Sequence, residues 1–407
     1  MLKSHKPQEL TTRKVLVLIN PFSGQKKALN LYNTFCKSIF LEANIQVELR
    51  FTKHANHATE IVQTLDIDCY ESIGIVSGDG LVNEAITGLL TRSDRDRALR
   101  MPIIHIPGGT GNSLAASIAF KCGEPFSARG GFCRELTLMG IKPSYKQLRL
   151  HHFESSSDGH KCVFLSVVWG LIADIDIGSE RFRWAGMIRL HMEALLRTMQ
   201  LPTVAKYKGR ISYLPIDDES LISKTRFKNN EPRKSFGNGH FGGGDIPDLA
   251  DMDLNISKPK INTVKDSFKN RELVKIPRLD EPVPDNWITI ESEFVMVNVT
   301  SLSHIGSDLP YIPSSKLEEE VLYLSLVDWS VVKNRFSIAR MLADMDICSH
   351  LDYPCFHFIP VKACRIEPAP GAGGHVAVDG EPCTSGSAFQ VVASSYCATV
   401  ACRELRD

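Results

Sequence analysis

Apolar residues along the first 120 positions recur with two alternating periods. Lys14 to Ile19 (KVLVLI) is a continuous apolar run of strand length, and it gives way to helical spacing through Leu29, Tyr32, Phe35, Ile39 and Phe40. Ile45 to Phe51 alternates as a half-exposed strand does, and Ala58, Ile61, Val62 and Leu65 mark the next helix. The switch repeats from Ser72–Val76 into Val82, Ala85, Ile86, Leu89 and Leu90, and again from Pro102–Ile106 into Leu114–Ile118. Four strand-then-helix units predict a doubly wound, parallel α/β domain over residues 13–145.

Past Pro143 the pattern changes. Short apolar segments at Lys161–Val168, Lys208–Leu214, Phe294–Val299, Val321–Val327 and Val361–Ile366 alternate with turn residues, which predicts an antiparallel β domain over 146–402. One helical interlude, from Ile177 to Leu201, interleaves Arg181, Arg183, Arg189 and Arg197 with Trp184, Met187, Ile188, Leu190, Met192, Leu195 and Leu196. Such a helix either packs an apolar face on the core, or aims arginines at phosphates and an apolar tip at lipid; the pattern leaves both open. Residues 217–287, with KNNEPRKS and FGNGHFGGGD, hold few positions that could pack and predict a disordered insertion in a turn of the second domain. Residues 1–12 are polar and predict a flexible N-terminal stretch.

Composition narrows the function. Lys+Arg and Asp+Glu both number 47, so the chain has no general attraction to nucleic acid. No run reaches the length of a membrane span, and the N-terminus lacks the apolar centre of a signal peptide. Eleven cysteines without a spacing framework suit reduced thiols. The expectation is a cytoplasmic protein with reversible, peripheral membrane contact. Cys348, His350, Cys355 and His357 cluster in sequence, but their spacing matches no standard zinc site.

Three strand-to-helix turns carry the candidate chemistry: NPFSGQKK from Asn20, Ser77-Gly78-Asp79-Gly80, and PGGTGN ending at Asn112. Such turns line the crevice at the carboxyl ends of a parallel sheet, where backbone N–H groups and helix N-termini cradle phosphate. None of the three fits the P-loop or dinucleotide fingerprint, so a nucleotide is expected without its usual motif. Asp79, between two glycines, is placed to meet the ligand, although Asp is also ordinary turn chemistry there. Glu84 reads equally as a charge near a helix N-terminus. Late in the chain, Asp379-Gly380 follows an alternating strand and is a strong hairpin signal, with Glu381 beside it.

Taken together, SGDGLVNEAITGLL, PGGTGNSLAAS, WGLIADIDIGSERFR and VDGE resemble the sphingosine kinases, within the wider diacylglycerol-kinase-like lipid kinase group. The similarity covers residues 13–215 and 290–395. SGDG and GGTGN are shared by the wider group, whereas the segment from Trp169 through Arg183 resembles sphingosine kinases in particular. The resemblance implies an α/β nucleotide domain followed by an antiparallel β-sandwich that holds the lipid. It also implies transfer of the ATP γ-phosphate, with Mg²⁺, to the primary hydroxyl of a sphingoid base, giving sphingosine 1-phosphate.

Residue by residue, the resemblance implies Asp79 as general base with Glu84 its neighbour. It implies nucleotide contacts at Asn20, Ser23, Gly24, Thr52, Ser77, Gly78 and Gly80, and along Gly108, Gly109, Thr110, Gly111 and Asn112. Arg183 and Arg189 match phosphate-binding arginines. Asp379, Gly380 and Glu381 match a triplet near the phosphates, with Asp79 and Asp379 as candidate Mg²⁺ ligands. Asp176 and Ser166 match the head-group contacts, with Leu171, Leu190, Met192, Leu195 and Leu196 along the lipid. Two positions depart from the family pattern: Lys26 stands where the first loop usually has a glycine, and Thr110 where many sphingosine kinases have serine. A diacylglycerol or ceramide kinase, and a non-catalytic lipid- or nucleotide-binding adaptor, stay as alternatives. The oligomeric state, a homodimer included, is left open.

Overall fold

The computed structural model describes residues 13–109, 111–123, 130–185, 188–200, 207–216, 276–332 and 334–404. The expectations for residues 1–12 and for 217–275 of the insertion fall outside these. Strands β1 (Lys14–Ile19), β2 (Gln46–Phe51), β3 (Ser72–Ser77) and β4 (Pro102–Pro107) are all parallel, in the order β2-β1-β3-β4. Alternation along β1 explains the double winding. Val15, Val17 and Ile19 enter one core with Phe40, Ile104 and Ile106, while Leu16 and Leu18 enter another with Val62, Val82 and Ile86. Both faces of the sheet are therefore buried at β1, β3 and β4, which read as largely apolar runs, whereas the edge strand β2 alternates and stays part-exposed.

The first helix departs from the expected single stretch. It is divided into Ser23–Lys26, Ala28–Leu31, a π-helical turn Tyr32–Cys36, and Lys37–Glu42. Lys26 ends the first piece with φ of 66°, in the left-handed region where a side chain is strained.

The second half contains β5 (Ser144–Ser155), β6 (Gly159–Val163), β7 (Ser166–Gly170), β8 (Tyr207–Pro215), β9 (Ile288–Thr300), β10 (His304–Gly306), β11 (Leu309–Pro310), β12 (Leu322–Asp328), β13 (Phe356–Pro368), β14 (Val376–Val378), β15 (Glu381–Cys383) and β16 (Phe389–Cys402). Two long strands serve both layers of the sandwich. β9 pairs with β8 through its first half and with β7 and β12 through its second, and β13 divides itself between β12 and β8. Trp169, Phe294, Tyr311 and Leu324 fill the space they enclose.

Three boundaries need correction. The Lys161–Val168 segment is two strands, broken where the amides of Phe164 and Leu165 turn to Asp379. The domain limit at 145/146 falls inside β5, which runs antiparallel to β16 along nearly its whole length. β16 in turn pairs in parallel with β4 at Thr399↔Pro102 and Val400↔Ile103, so a late strand extends the first domain's sheet. Finally, Tyr213↔Ile288 pairing brings the flanks of the insertion together, but residues 276–287 belong to the packed body. Trp287 is buried against Leu214 and Ala363, and Arg365 donates to the carbonyls of Arg278 and Glu281.

Candidate active site

The site begins where two glycine-rich turns touch main chain to main chain. A Cβ on Gly109 would lie 2.6 Å from the backbone nitrogen of Gly78, so this contact excludes any side chain. Gly108 N donates to Ser77 O at 2.9 Å, and Asn112, in the left-handed region, closes its own loop by accepting from Gly109 N at 3.0 Å. Ser23 Oγ donates to Gly108 O at 3.3 Å and brings the first loop to the same place. Asn20 stands at the mouth of that loop, where its Oδ1 accepts from Phe22 N, and Gly24 lies in the short helix that follows. Thr52 is buried at the end of β2, bonded to Ile19 O. The three turns meet as expected, on one edge of the sheet; Thr110 lies outside the described residues.

Asp79 is the first residue of the helix Asp79–Leu90 and is 7% exposed. Its Oδ2 accepts from Ser113 N at 2.7 Å and its Oδ1 from Leu114 N at 3.0 Å, both in the opening turn of the helix Ser113–Lys121. Two helix N-termini thus converge on one carboxylate. His105, from β4, lies behind it with Nδ1 3.9 Å from Asp79 Oδ1 and Nε2 bonded to Ser77 O. Burial pushes the His105 pKa down, so the imidazole is neutral and donates through Nε2.

Glu84 has a different part from the one the resemblance implies. Its carboxylate accepts from Ala58 N at 3.1 Å and holds the helix His57–Gln63 against the helix Asp79–Leu90. It is a charge at a helix N-terminus, though not its own. Asp379 also departs. It sits in the two-residue turn between β14 and β15, φ being 50° there and 82° at Gly380. Its Oδ1 accepts from Leu165 N and Ser166 N, and its Oδ2 from Phe164 N and Asn83 Nδ2 at 2.7 Å. Four donors occupy both oxygens, which leaves no lone pair for a metal ion. Burial still raises its pKa, to about 6.

Among the described residues no hydrogen bond or ion pair reaches the side chain of Glu381, the third member of the triplet. A Cβ on Gly80, in the opening turn of the Asp79 helix, would lie 3.5 Å from Glu381 Oε1. Burial, and then the charge of Glu84, raise its pKa. Of the carboxylates assigned to Mg²⁺, Asp79 keeps one lone pair on each oxygen and fits a cation, and Asp379 does not; Glu381 fits in its place.

Asp176 lies on the helix Leu171–Ser179, which begins six residues before the helical spacing predicts. It is half-buried, and burial raises its pKa to about 6; Arg189 opposes that shift, while Glu180 and Glu381 add to it. Glu381 is thus near enough to Asp176 to act on its charge. Arg189 is 9% exposed and paired with Glu180. The backbone of Arg183 lies in a 3₁₀ turn, Glu180–Ala185, and its side chain is outside the described residues. Ser166 gives its amide to Asp379 and its carbonyl to Asp379 N. Leu171 is buried in the core and Leu190 packs against it. Met192 is half-buried, whereas Leu195 and Leu196 are 62% and 42% exposed on the helix Ile188–Gln200.

Sequence reasoning missed four residues. His105 is the one polar side chain in PIIHIP, a visible anomaly in an apolar strand. Asn83 and Ser307 gave no signal: Asn83 reaches Asp379, and Ser307 Oγ donates to Gly111 O at 2.6 Å, a contact spanning 196 positions. Glu193 is the fourth. It is fully buried on the helix Ile188–Gln200, and it accepts from Arg181 and Arg197, two of the arginines that the amphipathic reading aimed at phosphates.

Comparison with known proteins places this geometry. The diacylglycerol kinase catalytic domain model matches residues 14–136, the part that carries the three turns. Human sphingosine kinase 1 is 31% identical over 371 residues, covering 90% of this chain and 85% of that protein. Sphingosine kinase 1 of Caenorhabditis elegans is 31% identical over 393 residues, covering 92% of this chain and 78% of its own. Among solved structures, a diacylglycerol kinase from Bacillus anthracis superposes with a TM-score of 0.52 over 97% of this chain and 98% of its own. At 14% identity that likeness concerns the fold alone.

Proposed function

The chain belongs to the sphingosine kinase family, and from that membership we propose that it transfers the γ-phosphate of ATP to the primary hydroxyl of sphingosine or a related sphingoid base. Phosphoryl transfer through a loose transition state asks for alignment and charge neutralisation more than for a strong base. The glycine-loop amides, the two helix N-termini beside Asp79, and Arg189 supply positive potential for the phosphates. Mg²⁺ carried with ATP would neutralise charge on the phosphoryl oxygens, with Asp79 and Glu381 as the carboxylates able to hold it. Asp79 accepts the hydroxyl proton, its oxygens kept in place by Ser113 N and Leu114 N. Asp176, ionised above about pH 6, pairs with the ammonium group of the lipid.

The observation that carries this reading is Asp79 held by Ser113 N and Leu114 N where the glycine turns meet, together with the half-buried carboxylate of Asp176. A neutral diacylglycerol offers no cation for Asp176. No described helix is long and apolar enough to cross a membrane. Leu195, Leu196 and Met199, joined by Phe336 through the bond from Arg335 to Met199 O, form an exposed apolar patch through which the enzyme meets the lipid surface reversibly.

The test is transfer of labelled phosphate from Mg·ATP to sphingosine, diacylglycerol and ceramide in matched micelles. Label on sphingosine alone, lost in Asp79→Asn, is expected. Label on diacylglycerol or ceramide would overturn the role of Asp176, and no label on any lipid would leave a binding protein.

A further inference from the structure

A buried acid with two arginines joins the helix that carries Asp176 to the helix that carries the apolar patch. Glu193 has no exposed surface, yet it is a carboxylate. Its Oε2 accepts from Arg181 Nη2 at 2.6 Å and its Oε1 from Arg197 Nε at 2.7 Å. Arg197 also approaches Asp174 Oδ2 at 3.5 Å. Asp174 is buried in turn, accepting from Tyr207 OH at 2.7 Å and from His375 N at 2.8 Å. The chain of charge thus runs from the patch helix, through the Asp176 helix, to β8 and the segment before β14.

Position 178 shows how closely the two helices are fitted. A Cβ on Gly178 would lie 2.9 Å from Glu193 Cδ and nearer still to Glu193 Oε1. Gly178 stands in the last turn of the helix Leu171–Ser179, where alanine is ordinarily the better helix former. The glycine is required there by the carboxylate it seats.

We propose that Glu193, seated on Gly178 and clamped by Arg181 and Arg197, is a positioning residue that fixes the Asp176 helix to the patch helix and so sets the geometry in which the lipid head group is received. The clamp lies between the Asp176 helix and the patch helix; the glycine turns and Asp79 belong to other elements, and of the groups assigned to the phosphates Arg189 shares the patch helix. This inference rests on the reading of the chain as a sphingoid-base kinase. Its prediction separates the two substrates: loosening the clamp raises KM for sphingosine well beyond any rise in KM for ATP.

The experiment is a double-mutant cycle on full-length protein, read by thermal unfolding and by KM for sphingosine and for ATP. Gly178→Ala and Glu193→Ala are each expected to lower Tm and to raise KM for sphingosine by about tenfold, as for the loss of one partner from a buried charged contact. In Gly178→Ala/Glu193→Ala the clash with the carboxylate is gone and only Arg197 Nη2, at 3.0 Å, stays close to the added Cβ, so the alanine is expected to cost clearly less than it does with Glu193 present. Glu193→Gln, which keeps the shape, is expected to fall between. Equal damage from Gly178→Ala with and without Glu193 would overturn the contact. A lowered Tm with both KM values unchanged, or a parallel rise in both, would overturn the positioning role. Should the wild-type protein phosphorylate no sphingoid base, the reading of function fails instead, and the unfolding cycle still decides whether the contact exists.

Discussion

The two sides of the site are built from different materials. On the nucleotide side the working groups are main-chain amides and helix ends: Gly78 against Gly109, and Ser113 N and Leu114 N on Asp79. On the lipid side they are charged side chains holding other charged side chains, from Asp176 and Glu180 around Arg189 to Glu193 between Arg181 and Arg197. A site of amides has its shape set by the fold and tolerates few side chains. A site of paired charges can be retuned one residue at a time, at the risk of leaving a buried charge alone. The nucleotide turns suit a ligand common to many kinases, and the lipid side suits one that differs between them.

Substitutions on each side sharpen that contrast. The largest effect is expected from Asp79→Asn, which replaces the proposed proton acceptor and turns an amide donor toward Ser113 N or Leu114 N; turnover should fall by about 10²- to 10⁴-fold in a single-turnover assay. Unchanged turnover would remove Asp79 from the chemistry. Asp379→Ala should act on the fold instead, because it strands four buried donors. A loss of about 3 kcal/mol in denaturant unfolding is expected. A variant that unfolded like the wild type but bound Mg·ATP more weakly would return Asp379 to the phosphates.

Smaller effects follow on the lipid side and in the first loop. The Asp176 carboxyl, raised to about 6, is neutral below that pH and charged above it. KM for sphingosine should therefore climb by about tenfold per unit as the pH drops below 6, and Asp176→Asn should abolish the slope. A slope that survived in Asp176→Asn would assign it to another group. Least of all, Lys26→Gly should gain about 1 kcal/mol in thermal or denaturant unfolding, since φ of 66° strains a lysine and not a glycine. A loss would mean that the lysine side chain repays the strain through contacts of its own.

What could be read from the sequence follows the same division. Strands β1 to β4 and the helices after β3 and β4 are legible because both faces of the sheet are buried and the period changes cleanly at each turn. The glycine turns are legible because glycine is demanded by main-chain approach, and the demand is local. Glu84 and Asp379 stood out in the sequence, but the groups they bond did not. Their partners, Ala58 N and the amides of residues 164–166, are fixed by packing between elements far apart in the chain. Glu193 was illegible for the same reason. In the sequence it is one more polar position on an amphipathic helix, and only the approach of Gly178 and Arg181 turns it inward.

The pairing of β16 with β4 governs the order in which the molecule can be made. Thr399 bonds to Leu99 across 300 positions, so the outer edge of β4 has no partner while the intervening chain leaves the ribosome. Closing so long a loop is slow, and an unpaired apolar strand edge is where nascent chains stick to one another. The nucleotide domain is therefore the first to be synthesised and among the last to be sealed. A chaperone that shields the edge of β4 during that interval would be expected to raise the yield of active enzyme.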